Sequence, residues 1–532
     1  MRGLKKLPIG IQTFSQIRED NYIYIDKTEE AYELITNYKY AFLSRPRRFG
    51  KSLFLDTLRN VFEGKKEYFE GLYIYTKWDW GKTYPVIKIS WGGKLRTIED
   101  LEYTLKSTLK DNQERLGIEC DEFDHLPTCF KELIKNSYQK YNQRVVVLID
   151  EYDKPILDVI EDKAQAVEHR EYIKGLYSIL KESDEYLQFA FLTGVSKFSK
   201  ASIFSGLNML EDISLSHRFG NICGYTQNDL ETTFKEHLKG ANLQRVKQWY
   251  NGYYFLKERV YNPFDILQFI KNEFLFDNYW FATGTPTFLI KLIEQNNYFL
   301  PKLSNLKVGK ELLDSFDIDN IKLEVILYQS GYLTIYKTLK TPFDTIEYKL
   351  KIPNVEVKMS FYTFIIETLY KQNPSNFRND LYITLANGKL EEFKETLISL
   401  FASIPYNNYT NNKIYEYEGF YASVIFSYLQ SLGVEIVGED VTNLGRIDLT
   451  LFIDDKIYII EFKVVDDVEL RDENEKSNSA LEQIKAKKYY RKYRQLTDTP
   501  ITDNQSTVYL IGIEFCKNAK NICSFAYEKI GQ

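Results

Sequence analysis

The residues best placed to do chemistry lie in the stretch GRIDLTLFIDDKIYIIEFKV at 445–464. Two alternating apolar runs flank Asp454 and Asp455, a pattern that predicts a β-hairpin. With the two aspartates as the turn, Asp448 falls directly opposite Glu461, and Lys463 shares the face of Glu461 two residues further on. Ile447, Leu449, Leu451, Tyr458, Ile460 and Phe462 share the other face and form a core. Directly opposed residues hold their Cβ atoms about 4.5–5.5 Å apart. Two carboxylates at that separation repel unless a cation lies between them, and an all-oxygen site suits Mg²⁺ or Mn²⁺. The backbone carbonyl of Phe462 can add a ligand. Lys463 can orient a water or stabilise charge developing on a phosphate. A slip of one residue would send the acids to opposite faces, and the opposed apolar pattern argues against it.

A second concentration of chemistry stands near the N-terminus. SRPRRFGKSLFLDTL (44–58) follows an apolar run and opens a helical pattern. Gly50-Lys51-Ser52 matches the end of a GxxxxGK[ST] phosphate loop, with Arg45 where the first Gly would stand. In such a loop the backbone N–H groups cradle phosphates, the lysine reaches the β- and γ-phosphates, and the serine hydroxyl binds Mg²⁺. Arg47 and Arg48 are further candidate phosphate ligands in the same loop. The run VVVLIDEYDKPI (145–156) ends in Asp150-Glu151. There Asp150 would hold Mg²⁺ and Glu151 would orient and activate the attacking water. A third apolar run, LQFAFLTGVSKFS (187–199), ends in Thr193 and Ser196, which could sense a γ-phosphate. Arg218 is a candidate for stabilising transition-state charge.

These residues need elements to hold them. YKYAFLSRP (38–46), YPVIKISW (84–91), RVVVLID (144–150) and LQFAFLTGV (187–195) read as buried strands separated by helical pattern. That arrangement predicts a parallel sheet covered by helices over residues 1–235. Residues 236–375 read as a mostly helical lid or linker with a few short strands, and residues 376–532 as a C-terminal α/β domain. YEGFYASVIFSYLQSLG (417–433) predicts an amphipathic helix and SALEQIKAKKYYRKYR (479–494) a second helix. On the latter, Gln483, Lys487 and Tyr490 would share a stripe. Its cations Lys485, Lys487, Lys488, Arg491, Lys492 and Arg494 alternate with Tyr489, Tyr490 and Tyr493, a composition able to grip a phosphate backbone. A solvated basic face is the plainer alternative. The acidic stretch 466–479 is the most loop-like segment.

With 532 residues the chain exceeds one hydrophobic core, and about three domains are expected. At 44% hydrophobic and 27% charged it is ordinary for a globular protein, and the net charge of −6 gives no global attraction to nucleic acid. No histidine follows His237, which excludes His-based chemistry from the C-terminal half. The five cysteines show no CxxC spacing and predict neither a disulfide framework nor a zinc cluster. No apolar stretch reaches the roughly 18 residues that span a membrane, and no apolar signal segment opens the chain; a reducing cytoplasm is the expected setting.

Tyr24-Ile25-Asp26-Lys27-Thr28, SRPRRFGKS, LIDEYDKPI, FLTGVSKFS and NGYYF (251–255) together resemble the AAA-ATPase-like family, whose members usually carry a C-terminal PD-(D/E)XK nuclease-superfamily domain. The spacing Asp448…Glu461-x-Lys463 matches that nuclease signature. The resemblance implies a P-loop NTPase-like sheet domain and a restriction-endonuclease-like α/β domain. It implies ATP binding through Lys51, Ser52, Asp150 and Glu151, in a group whose Arg-rich loop commonly replaces the Gly-rich one. Glu418 resembles the first acidic residue of the nuclease signature, which completes or supports the metal site, and Gln483 resembles a known extension of it. Ile447 stands where the nuclease family often has Pro, within the Gly-Arg-x-Asp usual in this branch. The function implied is an ATPase joined to a metal-dependent nuclease, with ATP-regulated cleavage of DNA. Its rivals are a non-cleaving ATP-dependent switch whose nuclease-like domain binds nucleic acid or a protein partner, and a nuclease with a degenerate nucleotide site. The expected cofactors are ATP and Mg²⁺, or Mn²⁺ at the nuclease site. The expected partner is nucleic acid, with no membrane, and self-association into a homo-oligomer stays open.

Overall fold

The computed structural model describes residues 4–198, 207–281, 287–295, 298–313, 316–405, 418–466, 477–493 and 507–530. The chain divides into two compact units. One takes Met1–Phe288, Val308–Tyr336 and Lys340–Glu347, and the other takes Leu289–Lys307, Lys337–Leu339 and Tyr348–Gln532. Residues 236–375 are shared between them. That stretch is largely helical, with Leu243–Tyr250, Pro263–Lys271, Leu323–Ser330 and Val355–Thr368 among its helices. Most of the loop-like stretch 466–479, and Arg494, lie outside the described residues.

In the first unit the four apolar runs become strands β1 (Tyr40–Ser44), β2 (Val86–Ser90), β3 (Val145–Asp150) and β4 (Leu187–Gly194), joined by the short β5 (Glu211–Asp212). The sheet is parallel, in the order β2-β3-β4-β1-β5. Every residue of β3 is buried and β4 is nearly so, as expected of central strands covered on both faces. Parallel pairing brings the C-terminal ends of β1, β4 and β3 to one edge, so the loop after β1 and the acids after β3 emerge on either side of β4. The helix Ile98–Leu116 starts with a Thr97/Asp100 capping box and stops at Gly117, whose φ of +60° lets the chain turn out of the helix.

Two sequence expectations meet their outcome here. Cys120 and Cys129 form a disulfide, with Cα atoms 5.2 Å apart, because the loop after Gly117 folds back onto the first turn of the helix Leu126–Tyr141. This is a single short-range link rather than a framework. Thr193, offered as a phosphate sensor, is fully buried and donates its hydroxyl to the Leu43 carbonyl at 3.0 Å, joining β4 to β1. Among the described residues no helix is long and apolar enough to cross a membrane.

The second unit is built on a mixed sheet in the order β6-β7-β8-β9-β10, with β6 Glu435–Val441, β7 Arg446–Ile453, β8 Lys456–Val465, β9 Thr507–Cys516 and β10 Asn521–Ile530. Only the β8/β9 pair is parallel. Phe515 of β9 stacks on Tyr421 at 4.0 Å and meets Phe401 edge-on at 4.9 Å, which seats the helices Glu418–Gln430 and Leu390–Ser403 on one face. The helix Glu418–Gln430 is not amphipathic as expected: every residue from Phe420 to Gln430 is buried, the mark of a helix enclosed all round. On the other face Ile457, Ile459, Val508 and Leu510 pack against Leu481 and Ile484 of the helix Ser479–Ala486.

That last helix is seated with little slack. Asn478 caps it, accepting from Leu481 N at 2.8 Å and donating to the Gly512 carbonyl at 3.1 Å. Buried Glu514 accepts from the Ser479 backbone at 2.7 Å. A Cβ at Gly512 would overlap Asn478 Oδ1 and the Leu481 backbone nitrogen. Gly512→Ala should therefore lift the helix carrying Gln483 and cost about 1–3 kcal/mol, as overpacking does. Denaturant unfolding measures this, and an unchanged midpoint would contradict the close approach.

Candidate functional site

The hairpin folds with the register expected from its alternation. Ile453 pairs with Lys456, Leu451 with Tyr458 and Leu449 with Ile460, turning through Asp454 at φ +50°. The ladder stops at Leu449–Ile460, one pair short of Asp448 and Glu461. Beyond it the two carboxylates take over the hydrogen bonds. Phe462 N donates to Asp448 Oδ2 at 2.8 Å, and Asp448 N donates to Glu461 Oε2 at 3.4 Å. The N–H and C=O of one strand residue leave on the same edge, so the Phe462 carbonyl opens toward Asp448 as well.

Glu461 is only 2% exposed. Gln483, on the neighbouring helix, donates its amide to Glu461 Oε1. Lys463 lies 3.6 Å from Glu418, the first residue of the buried helix. Asp448, Glu461, Lys463, Glu418 and Gln483 thus meet at one place, although they come from two strands and two helices. Burial pushes the Asp448 and Glu461 carboxyls above the usual carboxylate range; the Glu418 charge adds to this at Asp448, and the Asp448 charge at Glu461. Burial raises Glu418 too, against the pull of Lys463. The donor set is all oxygen and carries excess negative charge, which fits a hard divalent cation. Asp448 and Glu461 are the pair that would hold it, since Glu418 is turned to Lys463. Among the described residues no three acid, His or Cys side chains are already gathered for a metal.

The basic run differs from its expectation. The helix ends at Ala486, Lys488 takes φ +48°, and Tyr489–Tyr493 continue as a 3-10 turn. Tyr490 therefore leaves the stripe of Gln483 and Lys487. Tyr489 and Tyr493 are core residues, buried against Ile447 and Ile457, and cannot stack on bases. Lys485 pairs with Glu528 at 2.7 Å, and Lys492 pairs with the buried Asp440. Among the described residues, Lys487, Lys488 and Arg491 are the cations of this run without a carboxylate at close range.

In the first unit Arg47, Arg48, Gly50, Lys51, Ser52 and Glu151 line a cavity of about 530 Å³, a volume suited to a nucleotide-sized ligand. The turn that the missing glycine would have made is supplied by Arg48 at φ +66° and Gly50 at φ +91°. Arg45 is instead a buried staple. Its guanidinium donates to the carbonyls of Ser44 (2.9 Å), Ser214 (2.7 Å) and Phe219 (3.1 Å) and lies 3.9 Å from the Phe255 ring. Lys51 Nζ donates to the carbonyls of Arg45 and Pro46 at 2.9 and 3.0 Å, so the loop closes on its own lysine. Burial lowers the Lys51 pKa, and the nearby Asp150 opposes that.

Asp150 is buried behind the cavity, its Oδ1 accepting from Glu151 N at 3.0 Å. Glu151 faces the cavity with φ +52°, a sparsely populated conformation for a residue with a side chain. Desolvation and then the Asp150 charge raise its pKa. Sequence reasoning passed over Asp153, 1% exposed, which accepts from Val195 N at 3.0 Å and Ser196 N at 2.5 Å and so fixes the end of β4 beside the cavity. It was legible only as the third acid of DEYD. Arg218 is exposed and pairs with Glu33 at 3.1 Å, away from the cavity lining.

The family model described as "Predicted AAA-ATPase" matches residues 8–204, and the PD-(D/E)XK nuclease superfamily model matches residues 416–525. A relative from Azotobacter chroococcum mcd 1, named "Uncharacterized protein in vnfD 5'region", is 42% identical over 532 residues, covering 99% of both chains. No solved structure matches the chain.

The crowded acids carry a stability consequence. A carboxyl whose folded pKa exceeds its unfolded value favours the fold when protonated, and that contribution is lost as pH rises from the unfolded value through the folded one. Asp448 and Glu461 both have this sign. In chelator, wild type should lose more stability between about pH 5 and about pH 9 than Glu461→Gln, and the variant should melt higher at the upper end. Thermal melting across pH tests this; parallel curves would contradict it.

Proposed function

The chain belongs to the AAA-ATPase-like family in the form that carries a C-terminal PD-(D/E)XK nuclease-superfamily domain, and we propose that it hydrolyses ATP in its first unit and cleaves DNA in its second. For the nuclease, the observation that carries the reading is the buried Glu461 opposite the half-buried Asp448 at the open end of a hairpin, with a lysine two residues along. Asp448, Glu461 and the Phe462 carbonyl would hold Mg²⁺ or Mn²⁺, with Glu418 completing or supporting the set. When bound, such an ion polarises a phosphodiester and lowers the pKa of water. Gln483 fixes the Glu461 carboxylate through its amide. Lys463, released from Glu418, orients the attacking water or meets charge developing on the phosphate. Lys487, Lys488 and Arg491 contact the backbone of the nucleic acid.

For the ATPase, Arg47, Arg48, Lys51 and the backbone at Gly50 take the phosphates, and Ser52 and Asp150 would hold Mg²⁺. Lys51 exchanges its two carbonyl partners for phosphate oxygens. Glu151 accepts a proton from the attacking water, and its raised pKa suits a base. We read the two activities as coupled, with ATP state governing cleavage, because both domains lie on one chain.

Lys51→Ala should weaken ATP binding at least tenfold. Glu151→Gln should keep binding and lower hydrolysis about 10²-fold or more. Equilibrium binding and phosphate release check both, and unchanged hydrolysis in the two variants would remove the ATPase assignment.

Lys463→Ala should bind metal as wild type does yet lose cleavage, because its contribution falls in the transition state. Mn²⁺ titration alongside cleavage of single- and double-stranded DNA and RNA separates the two. Charge reversal at Lys487, Lys488 and Arg491 should weaken DNA binding and flatten its salt dependence. Unaltered affinity across salt would leave these cations as a solvated face.

A further inference from the structure

The turn at 442–445, between β6 and β7, comes just before Asp448 and is closed on itself. Thr442 N donates to the Gly445 carbonyl at 2.8 Å, and the Thr442 hydroxyl donates to the same carbonyl at 2.9 Å. Leu444 N donates to that hydroxyl at 3.3 Å. The basic segment after the helix Ser479–Ala486 braces the turn. Tyr489 donates its hydroxyl to the Arg446 carbonyl at 3.0 Å, and Lys492 donates to the Val441 carbonyl at 3.1 Å. Gly445 approaches so closely that a Cβ there would come 2.7 Å from Tyr489 Oη and 3.1 Å from Lys487 Nζ. The turn and the basic segment are therefore one braced surface.

What the turn presents is apolar. Val441 is 62% exposed and Leu444 52%. An exposed leucine alone needs no explanation. This one is carried on a closed turn beside Lys487, Lys488 and Arg491, which among the described residues have no carboxylate at close range. Extended chain rises about 3.3 Å per residue, so Leu444 stands about 13 Å along β7 from Asp448. A duplex covers that length in about four base-pair steps, so one duplex can meet both. The same features sort the partners. Sequence-independent grip on a single strand uses exposed aromatic rings as stacking platforms, and Tyr489 and Tyr493 of this segment are buried. Unpaired cations match phosphates, and aliphatic side chains beside them match a base step that is opened and kinked. Resting on the nuclease reading above, we infer that the turn, led by Leu444, is a wedge that enters a base step of duplex DNA while Lys487, Lys488 and Arg491 hold flanking phosphates. A wedge has to unstack the step it enters, so it gains where stacking is already broken, and the surface selects a duplex that carries a mismatch.

The experiment measures binding of the full chain, without divalent metal, across salt concentrations. The probes are a fully paired DNA duplex, the same duplex with one central mismatch, and the corresponding single strand. Wild type should prefer the mismatched duplex to the paired one about tenfold. Leu444→Ser should bring the two duplexes within a factor of about two and leave the salt dependence unchanged, since no phosphate contact is lost. Leu444→Met should keep the preference, because its side chain can still wedge. Both variants should melt as wild type does, the side chain being exposed. Equal wild-type affinity for the two duplexes, tighter binding of the single strand, or a preference that survives in Leu444→Ser would each overturn the wedge while sparing the nuclease reading. A loss in Leu444→Ser shared equally by all the probes would make the turn a brace for the cations and overturn the wedge. Self-association of wild type that Leu444→Ser abolishes, with DNA affinity unmoved, would assign the turn to a second copy of the chain instead. Binding of no probe at all would overturn the nucleic-acid reading itself, and the wedge with it.

Discussion

Two carboxylates crowded together and largely withdrawn from water cannot both stay ionised unless a cation or a proton lies between them. Asp448 and Glu461 are in that position, and much of the second unit is arranged so that they remain there. The hairpin ladder opens one pair early, and their side chains replace the backbone hydrogen bonds that would have closed it. The Gln483 amide holds Glu461 from one face, and the enclosed helix Glu418–Gln430 brings a third acid from the other. Lys463 is the nearby cation, and it is drawn to Glu418. A core built only for stability would have put apolar groups at these positions, so the strained electrostatics point to a ligand rather than to the fold.

The first unit poses the opposite problem. Its loop concentrates cations, and one of them, Lys51, is buried and has, among the described residues, backbone carbonyls alone for direct partners. Arg45 shows how the loop dispenses with its missing glycine. The guanidinium is consumed as a structural staple, and the left-handed turn moves to Arg48 and Gly50. In the first unit the charges stand at the C-terminal ends of parallel strands, and in the second where the hairpin ladder has opened, and in both they lean on nearby backbone groups. The ligands proposed for them are a polyanion in one case and a cation in the other.

The hairpin register was legible because alternation has a period of two and a slip would have turned the apolar set outward. The four strands of the parallel sheet were legible because buried parallel strands are continuous apolar runs. The basic segment misled because a helical pattern carries no warning of a left-handed residue, and Lys488 ends the helix where its cations would have formed a stripe. Tyr489 and Tyr493 then became core, a fate that abundance of Tyr could equally have announced. Thr193 sat at the right end of the right strand, but its hydroxyl was already committed to Leu43. That Pro8, Ile11, Pro263, Phe264 and Leu267 also line the cavity beside the phosphate loop left no trace in the sequence, because apolar residues at distant positions acquire meaning only when the fold brings them together.

Asp448 and Glu461 are proposed as a cation site whose charge is excessive when empty. Calorimetric titration of nucleotide-free protein with Mn²⁺ near pH 7, repeated in buffers of different ionisation enthalpy, measures it most directly. Ligand carboxyls must be deprotonated to bind, so an ion entering this site should expel protons. Binding in wild type should be accompanied by proton release, and both should be lost in the paired Asp448→Asn, Glu461→Gln variant. Mn²⁺ binding unchanged in that variant, or binding in wild type without proton release, would contradict it.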